Sequence, residues 1–151
     1  MKDYEFSLNV GKIKHICSSY INSKAKELNV TSAQAIYLKF LLEPKQPSQK
    51  DISTCLGCDK AQTSRILLGL LEKGYVKQIG DAKDNRKKLY QITEEGKKVS
   101  SKVDKELHYL MDSIMFENFA PEEKDIFLKA LKKISINIDK FNEGDNDEKN
   151  I

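Results

Sequence analysis

The stretch SQKDISTCLGCDKAQTSRILLGLLEKG, from Ser48 to Gly74, determines the fold that we predict for this 151-residue chain. Ser48 can begin a short helix, about Gln49 to Leu56, which stops at Gly57 because glycine readily takes the left-handed conformation that ends helices. Asp59 then caps a longer helix that ends at Gly74. Its inward face carries Ile66, Leu67, Leu70 and Leu71. A short helix, a tight turn and a longer helix together form a helix-turn-helix.

The residue types change after Gly74. Tyr75–Ile79 and Lys88–Ile92 are short and rich in β-branched and aromatic residues, which favours strands. The polar, basic loop 80–87 lies between them, so the sequence predicts a β-hairpin with a charged tip. The net charge of the whole chain is only +3, but it is concentrated here: residues 73–88 carry six basic and two acidic residues, and residues 139–151 carry two basic and five acidic ones.

Two helices are predicted before this motif. The first covers about Ser7 to Leu28, with apolar residues at the i, i+3, i+4 spacing of one face. The second follows Thr31, which forms a capping-box pattern with Gln34 and precedes the apolar run Ala35 to Leu42.

Two longer helices are predicted after the hairpin. Thr93 caps one over about Glu94 to Phe119, and Pro121 suits the first turn of another that reaches about Phe141. The final helix carries a narrow apolar seam close to a heptad repeat, formed by Phe127, Leu131, Ile134, Ile138 and Phe141. Residues 142–151 have almost no apolar side chains and are predicted to be a disordered acidic tail.

These elements predict a mainly α fold with a small β-hairpin: a winged helix-turn-helix with helical dimerisation extensions at both termini. We assign 7–30 to an N-terminal dimerisation helix, 31–93 to the winged helix-turn-helix DNA-binding region and 94–141 to C-terminal dimerisation helices. Dimerisation is expected because the apolar seams outside the winged helix need a partner to cover them.

The pattern predicts DNA binding, because the major groove of B-DNA is about 12 Å wide and admits one α-helix. The second helix of the motif offers hydroxyls, an amide and cations at the positions that we place outward: Asp59, Lys60, Gln62, Thr63, Ser64 and Arg65. The hairpin tip adds Lys83, Asn85, Arg86, Lys87 and Lys88. These can follow the neighbouring backbone or place Arg86 in a narrow minor groove. Ser48 and Gln49 are expected near a phosphate.

Two segments resemble the MarR family of transcriptional regulators: "QKDISTCLGCDKAQTSRILLGLLEKGYV" and "DAKDNRKKLYQITEEGKKV". Asp84-Asn85-Arg86 stands where the family has Asp-x-Arg in its wing. Residues 92–96, Ile-Thr-Glu-Glu-Gly, stand in the place of Leu-Thr-x-x-Gly, with Ile92 replacing the usual leucine. The segment LEKGYV, Leu71 to Val76, matches the helix-to-strand junction of the family.

The resemblance implies a homodimer of triangular outline that presents two winged helices to a palindromic operator in double-stranded DNA. It implies that Arg86 contacts the minor groove and that Asp84 orients the basic residues of the wing. It also implies a repressor released by a small-molecule effector or another chemical signal, through a change in the spacing of the recognition helices. No cofactor and no enzymatic activity are expected, since the chain shows no catalytic motif and no phosphate-binding glycine loop.

The three cysteines leave alternatives open. Their odd number and the absence of a signal peptide or an apolar membrane segment predict a cytoplasmic protein with reduced thiols. Cys17 lies on the apolar face of the first helix, where packing is favoured over redox sensing, although some MarR members sense oxidants through a first-helix cysteine. Cys55 and Cys58 form a CxxC pair, which supplies only two ligands where structural zinc wants four. The resemblance instead implies that Leu56 and Cys58 occupy apolar positions on either side of the turn glycine, so packing is favoured over a redox or metal role. A metal held by His15, His108 and Asp112 is a weaker hypothesis.

A functional alternative also exists in which the winged helix has lost DNA binding and serves as a protein-interaction module. The charged hairpin tip argues against it.

Overall fold

The computed structural model describes residues 2–80 and 88–148, which divide into two compact units between Leu110 and Met111. The first unit contains six helices and one hairpin in its described part. The elements in chain order are α1 (Asp3–Ser23), α2 (Ala25–Leu28), α3 (Ser32–Phe40), α4 (Gln49–Leu56), α5 (Lys60–Glu72), β1 (Val76–Gly80), β2 (Lys88–Ile92) and α6 (Glu94–Leu110). The second unit contains a π-helical turn (Met111–Met115) and α7 (Pro121–Glu148). The predicted fold class, mainly helical with one small hairpin, is confirmed.

The single first helix predicted up to Leu28 is in fact two helices that meet at Lys24. The Lys24 amide is shared between the carbonyls of Tyr20 and Ile21, and the Ser23 hydroxyl donates to the Tyr20 carbonyl at 2.7 Å. Such side-chain bonds to a helical carbonyl compete with the backbone ladder. Asn29 then ends α2 in the left-handed conformation, with φ of 53°.

The helix-turn-helix has the predicted boundaries. α4 begins after Ser48, whose hydroxyl accepts from the Asp51 amide, and α5 begins after Asp59, whose carboxylate accepts from the Gln62 amide at 2.8 Å. Both residues satisfy helix-start amides that would otherwise lack partners. The predicted capping box of Thr31 and Gln34 is also present at the start of α3.

The hairpin pairs β1 and β2 antiparallel, from Val76 opposite Ile92 to Gly80 opposite Lys88. A further bridge pairs Leu89 with Ser48, and the Tyr90 amide donates to the Pro47 carbonyl at 3.0 Å. The wing is therefore attached along β2 to the segment that opens α4.

The core of the first unit lies where α3, α5 and α6 meet the hairpin. It is closed by aliphatic and tyrosine side chains: Leu38, Leu41, Ile52, Leu67, Leu70, Val76, Tyr90, Ile92, Val99 and Val103. Gly96 lets α6 approach the hairpin, because a Cβ there would overlap the Tyr75 carbonyl oxygen. This core holds α5 by one face and leaves the opposite face exposed.

The long helix predicted over Glu94–Phe119 is shorter than expected. α6 ends at Leu110, a π-helical turn follows, and Asn118 has a φ of 66°. In the second unit Phe116 packs edge-on against Phe119 and Phe127, with ring centroids 5.3 and 5.7 Å away. Lys124 pairs with Asp112. Wider π-helical turns accommodate such local packing where a regular helix would not.

The disordered tail predicted from residue 142 is wrong for residues 142–148, because α7 continues to Glu148. Extending an existing helix by one residue needs no new nucleus, so a polar sequence without proline can continue it. Residues 149–151 lie outside the described residues. Within the described ranges no helix is both long and apolar enough to cross a membrane.

Candidate nucleic-acid interface

Two glycines fix the ends of the helix-turn-helix. Gly57 and Gly74 have φ of 62° and 68°, in the left-handed region that other residues resist. After α4 the Cys58 amide donates to the Ser53 carbonyl, and after α5 the Tyr75 amide donates to the Leu70 carbonyl, both at 3.0 Å. Each is the six-to-one bond of a Schellman motif. The direction of α5 is therefore set at both ends by backbone bonds.

The N-terminal turn of α5 is also tied to α4. The Gln49 side-chain amide donates to the Lys60 carbonyl at 3.1 Å. Gln49 is half-buried, and Ser48 is half-buried with its amide and hydroxyl both bonded to the Asp51 carboxylate. Gln49 thus serves as a brace between the two helices, and Ser48 as a helix cap. Contact of either residue with a phosphate stays a prediction.

The prediction that Thr63 faces outward is wrong. Its side chain is 0 % exposed and its hydroxyl lies 3.1 Å from the Tyr37 hydroxyl. Thr63 shares the inner face with Leu67 and Leu70, four and seven residues on, so helical phase places it in the core despite its polarity. Burial raises the pKa of Tyr37, which keeps its hydroxyl protonated and available for this bond.

The face of α5 opposite Thr63 carries Ala61, Arg65, Leu68 and Glu72, all exposed. Leu68 is 56 % exposed, whereas its neighbours Leu67 and Leu70 are fully buried. The four residues follow one another at four, three and four positions, the spacing of a single helical stripe. We call them the outer stripe. Sequence reasoning included Arg65 but missed Ala61 and Leu68, because they are apolar; the phase of the buried leucines was the signal that could have found them.

The other predicted residues of α5 flank the outer stripe. Lys60, Gln62 and Ser64 are exposed, as predicted, and so is Asp59, the cap residue before α5. The Asp59 carboxylate is engaged as the helix cap. α5 thus presents two cations, an amide and a hydroxyl to solvent around an apolar and cationic centre, and these groups can bond bases and phosphates.

The wing is described only at its base. Lys88 is exposed at the start of β2, opposite Gly80. The predicted contacts Lys83, Asp84, Asn85, Arg86 and Lys87 lie outside the described residues. Exposed Lys77 on β1 adds a further cation to the hairpin.

The cysteines occupy three different environments. Cys58 is half-buried and packs with Leu56 against the core, as predicted, while Cys55 is exposed. Cys17 is half-buried, and burial raises the pKa of its thiol, which lowers the thiolate fraction on which redox reactivity depends. In the described part of the chain, no three His, Cys, Asp or Glu side chains form a group that could hold a metal ion.

Comparison with known proteins places this geometry in context. The sequence profile of a winged helix DNA-binding domain matches residues 30–96. The chain is similar to the HTH-type transcriptional regulator YybA of Bacillus subtilis, at 24% identity over 87% of each chain. It is also similar to the HTH-type transcriptional repressor YetL of the same organism, at 27% identity over 80% of this chain and 70% of that one.

A solved structure is similar to nearly the whole length of this chain. A MarR protein from Peptoclostridium difficile superposes with a TM-score of 0.79 at 27% identity, covering 94% of this chain and 92% of the other. The winged-helix match, the regulatory relatives and this structural likeness agree with one another. The chain therefore carries a winged helix DNA-binding domain over residues 30–96, and it is similar over nearly its whole length to MarR-type transcriptional regulators.

Proposed function

We propose that this protein is a homodimeric repressor that binds a palindromic operator and is released by a small-molecule or other chemical signal. The observation that carries the proposal is the outward face of α5, which is exposed over its whole length while its inner face is locked into the core. The helix lies directly before the hairpin, and the sequence between β1 and β2 carries the basic residues Lys83, Arg86 and Lys87. The recognition helix would enter the major groove, and the wing would follow the adjacent backbone, with Arg86 at the minor groove.

Exposed apolar side chains support the dimer. In the N-terminal half of α1, Tyr4, Phe6, Leu8 and Val10 are all exposed. In α7 the predicted seam is exposed as well, from Phe127 through Leu131, Ile134 and Ile138 to Phe141, which reaches 70 %. The seam of α7 is a contiguous apolar strip of the kind that marks association sites, and a two-fold dimer covers each patch with its counterpart. The segments 7–30 and 94–141 would form this interface.

A dimer would give the operator its symmetry. Two recognition helices related by a two-fold axis bind half-sites about 34–36 Å apart, one turn of DNA. A palindrome of this spacing that overlaps a promoter would exclude RNA polymerase. The relative YetL is named a repressor, which supports repression over activation.

The signal would act through a crevice in the first unit. A cavity of about 180 Å³ lies between α1, α3 and α6, lined chiefly by Cys17, Ile21, Ala35, Val103 and Leu107. It joins the predicted dimerisation helix to the winged helix. An effector that binds one dimer shape better than another would shift the spacing of the recognition helices and weaken DNA binding. The expected site of action is the cytoplasm.

A mobility-shift titration with DNA from beside the protein's own gene tests the proposal. We expect a shifted complex whose log Kd rises linearly with log salt, since phosphate contacts release counterions. The double variant Arg65→Ala/Arg86→Ala should lose the complex. The matched control Lys129→Ala, on exposed α7, should retain it. Absence of binding to every such fragment at low salt would exclude the proposed function.

A further inference from the structure

We propose that the outer stripe reads a half-site in which a guanine, contacted by Arg65, is flanked by thymines whose methyl groups contact Ala61 and Leu68. The proposal rests on the function proposed above, and it names the DNA sequence class that this surface recognises. It departs from the sequence prediction, which assigned base contacts to polar residues alone.

The exposure of Leu68 is the first observation that supports this base readout. It is 56 % exposed on a helix whose core face is already complete with Leu67 and Leu70 at 0 % exposure. A leucine that the core does not need leaves apolar area in water at a position where a polar residue would serve equally well. The major groove offers one apolar feature, the thymine C5-methyl group, and burial of Leu68 against it removes both apolar surfaces from water.

The order of residues along the stripe is the second reason. Ala61 and Leu68 lie on either side of Arg65, one turn before it and one turn after it. With a rise of about 1.5 Å per residue, the flanking positions lie about 6 and 4.5 Å from Arg65 along the helix axis. Base pairs are stacked about 3.4 Å apart, so each apolar contact falls one or two base pairs from the base that Arg65 reads. Arginine donates two parallel bonds to the O6 and N7 atoms of guanine, which no other base accepts in this geometry.

The negative charge at the C-terminal end of the outer stripe limits how much of α5 can contact DNA. Glu72 is exposed in the last turn of α5, and a carboxylate is repelled by DNA phosphates. The last turn therefore lies away from the phosphate backbone, and the segment Ala61–Leu68 faces the bases. Lys60 and Arg65 supply the positive charge of the same segment.

The test uses modified duplexes. A random-sequence duplex library is first selected on the full-length protein, and the selected operator is synthesised with each thymine replaced in turn by deoxyuridine. This change removes one methyl group and leaves every hydrogen-bonding group in place. Dissociation constants are measured by fluorescence anisotropy for the wild type, Leu68→Ala and the control Leu42→Ala. Leu42 is another exposed leucine, located after α3 and outside the stripe.

We expect deoxyuridine to weaken wild-type binding about four-fold per half-site at two positions that flank a guanine, the effect of one buried methyl group. Leu68→Ala should lose the sensitivity at one of these positions and keep it at the other, and Leu42→Ala should behave as wild type. Alanine favours the helix, so the variant should fold. Replacing the guanine by 7-deazaguanine should weaken wild-type binding and leave Arg65→Ala unchanged.

Two results would overturn the inference and are distinguishable from each other. Tight operator binding that is indifferent to every thymine methyl group, or equally sensitive in Leu68→Ala, would reject this readout while the proposed function stands. Failure to enrich any duplex sequence would reject the proposed function and this inference with it.

Discussion

Replacing Thr63 by valine separates a structural role for this residue from a role in DNA contact. The Thr63 and Tyr37 hydroxyls lie 3.1 Å apart, and the two side chains are 0 % and 2 % exposed. Valine keeps the shape and removes the hydroxyl, so the Tyr37 hydroxyl loses a buried partner. The Cys58 side chain also hydrogen-bonds the Tyr37 hydroxyl, so the variant loses one of two partners, which costs about 0.5–1.5 kcal/mol. For a chain of this length, about 2–4 °C of melting temperature corresponds to each kcal/mol, so we expect a drop of about 1–6 °C.

The assay is thermal unfolding by circular dichroism at a fixed protomer concentration, because the melting temperature of a dimer depends on concentration. Ser64→Ala is the matched control: the next residue is exposed, and its stability should change by no more than about 0.5 kcal/mol. Operator affinity, measured well below both transitions, should stay within about two-fold of wild type for Thr63→Val. A loss of affinity greater than ten-fold with an unchanged melting temperature would show that Thr63 contacts DNA, and would refute the burial argument.

Three further predictions concern the turn, the helix cap and the thiols. Gly57→Ala should destabilise the protein by about 1–2 kcal/mol in urea unfolding, because its φ of 62° disfavours any side chain, and Gly57→Asn should cost less; equal stability of all three proteins would contradict this. Asp59→Ala should lower the free energy of unfolding by about 0.5–2 kcal/mol, because the Gln62 amide loses its hydrogen bond to the Asp59 carboxylate. Asp59→Asn should stay close to wild type. An Asn variant as unstable as the Ala variant would argue against capping. At neutral pH, Cys17 should react with iodoacetamide more slowly than exposed Cys55, and its labelling rate should increase as the pH rises through its raised pKa. Mass spectrometry measures both rates. Faster labelling of Cys17 than of Cys55 would favour the redox hypothesis.

The ends of the helix-turn-helix could be predicted because local residues determine them. Gly57 and Gly74 end their helices through a backbone conformation that depends on glycine itself, and Asp59 caps α5 with its own carboxylate. These signals act within a few residues, so they are readable without knowledge of the fold. The strands β1 and β2 were predictable for a similar reason, since β-branched and aromatic residues are concentrated there.

The face of α5 that points to the core could be predicted less well from the sequence than the ends of the helix. Thr63 was assigned outward because of its hydroxyl, although the leucines at 67 and 70 place the same face in the core. The bond that makes its burial acceptable comes from Tyr37, which is 26 residues away in sequence. A hydrogen bond from a residue distant in sequence therefore stabilises the inward orientation of Thr63, whereas its residue type alone favours the outward orientation.

The predictions of one continuous helix over Ser7–Leu28 and over Glu94–Phe119 are wrong for related reasons. The break at Lys24 coincides with the bond of the Ser23 hydroxyl to the preceding turn, and α6 ends at Leu110 where a π-helical turn follows. The apolar spacing runs through both places without interruption, so periodicity predicts one helix where two elements exist. Conversely, α7 continues to Glu148 although the sequence after Phe141 is polar.

The most direct test of the central claim is a selection of random-sequence duplexes on the full-length protein, followed by sequencing of the bound fraction. We predict enrichment of an inverted repeat whose half-site centres lie about 10–10.5 base pairs apart, the spacing that a two-fold dimer of winged helices imposes. Arg65→Ala should flatten the preference at one position in each half-site. An enriched single half-site without a repeat would contradict the dimeric reading, and no enrichment at any salt concentration would contradict DNA recognition by α5.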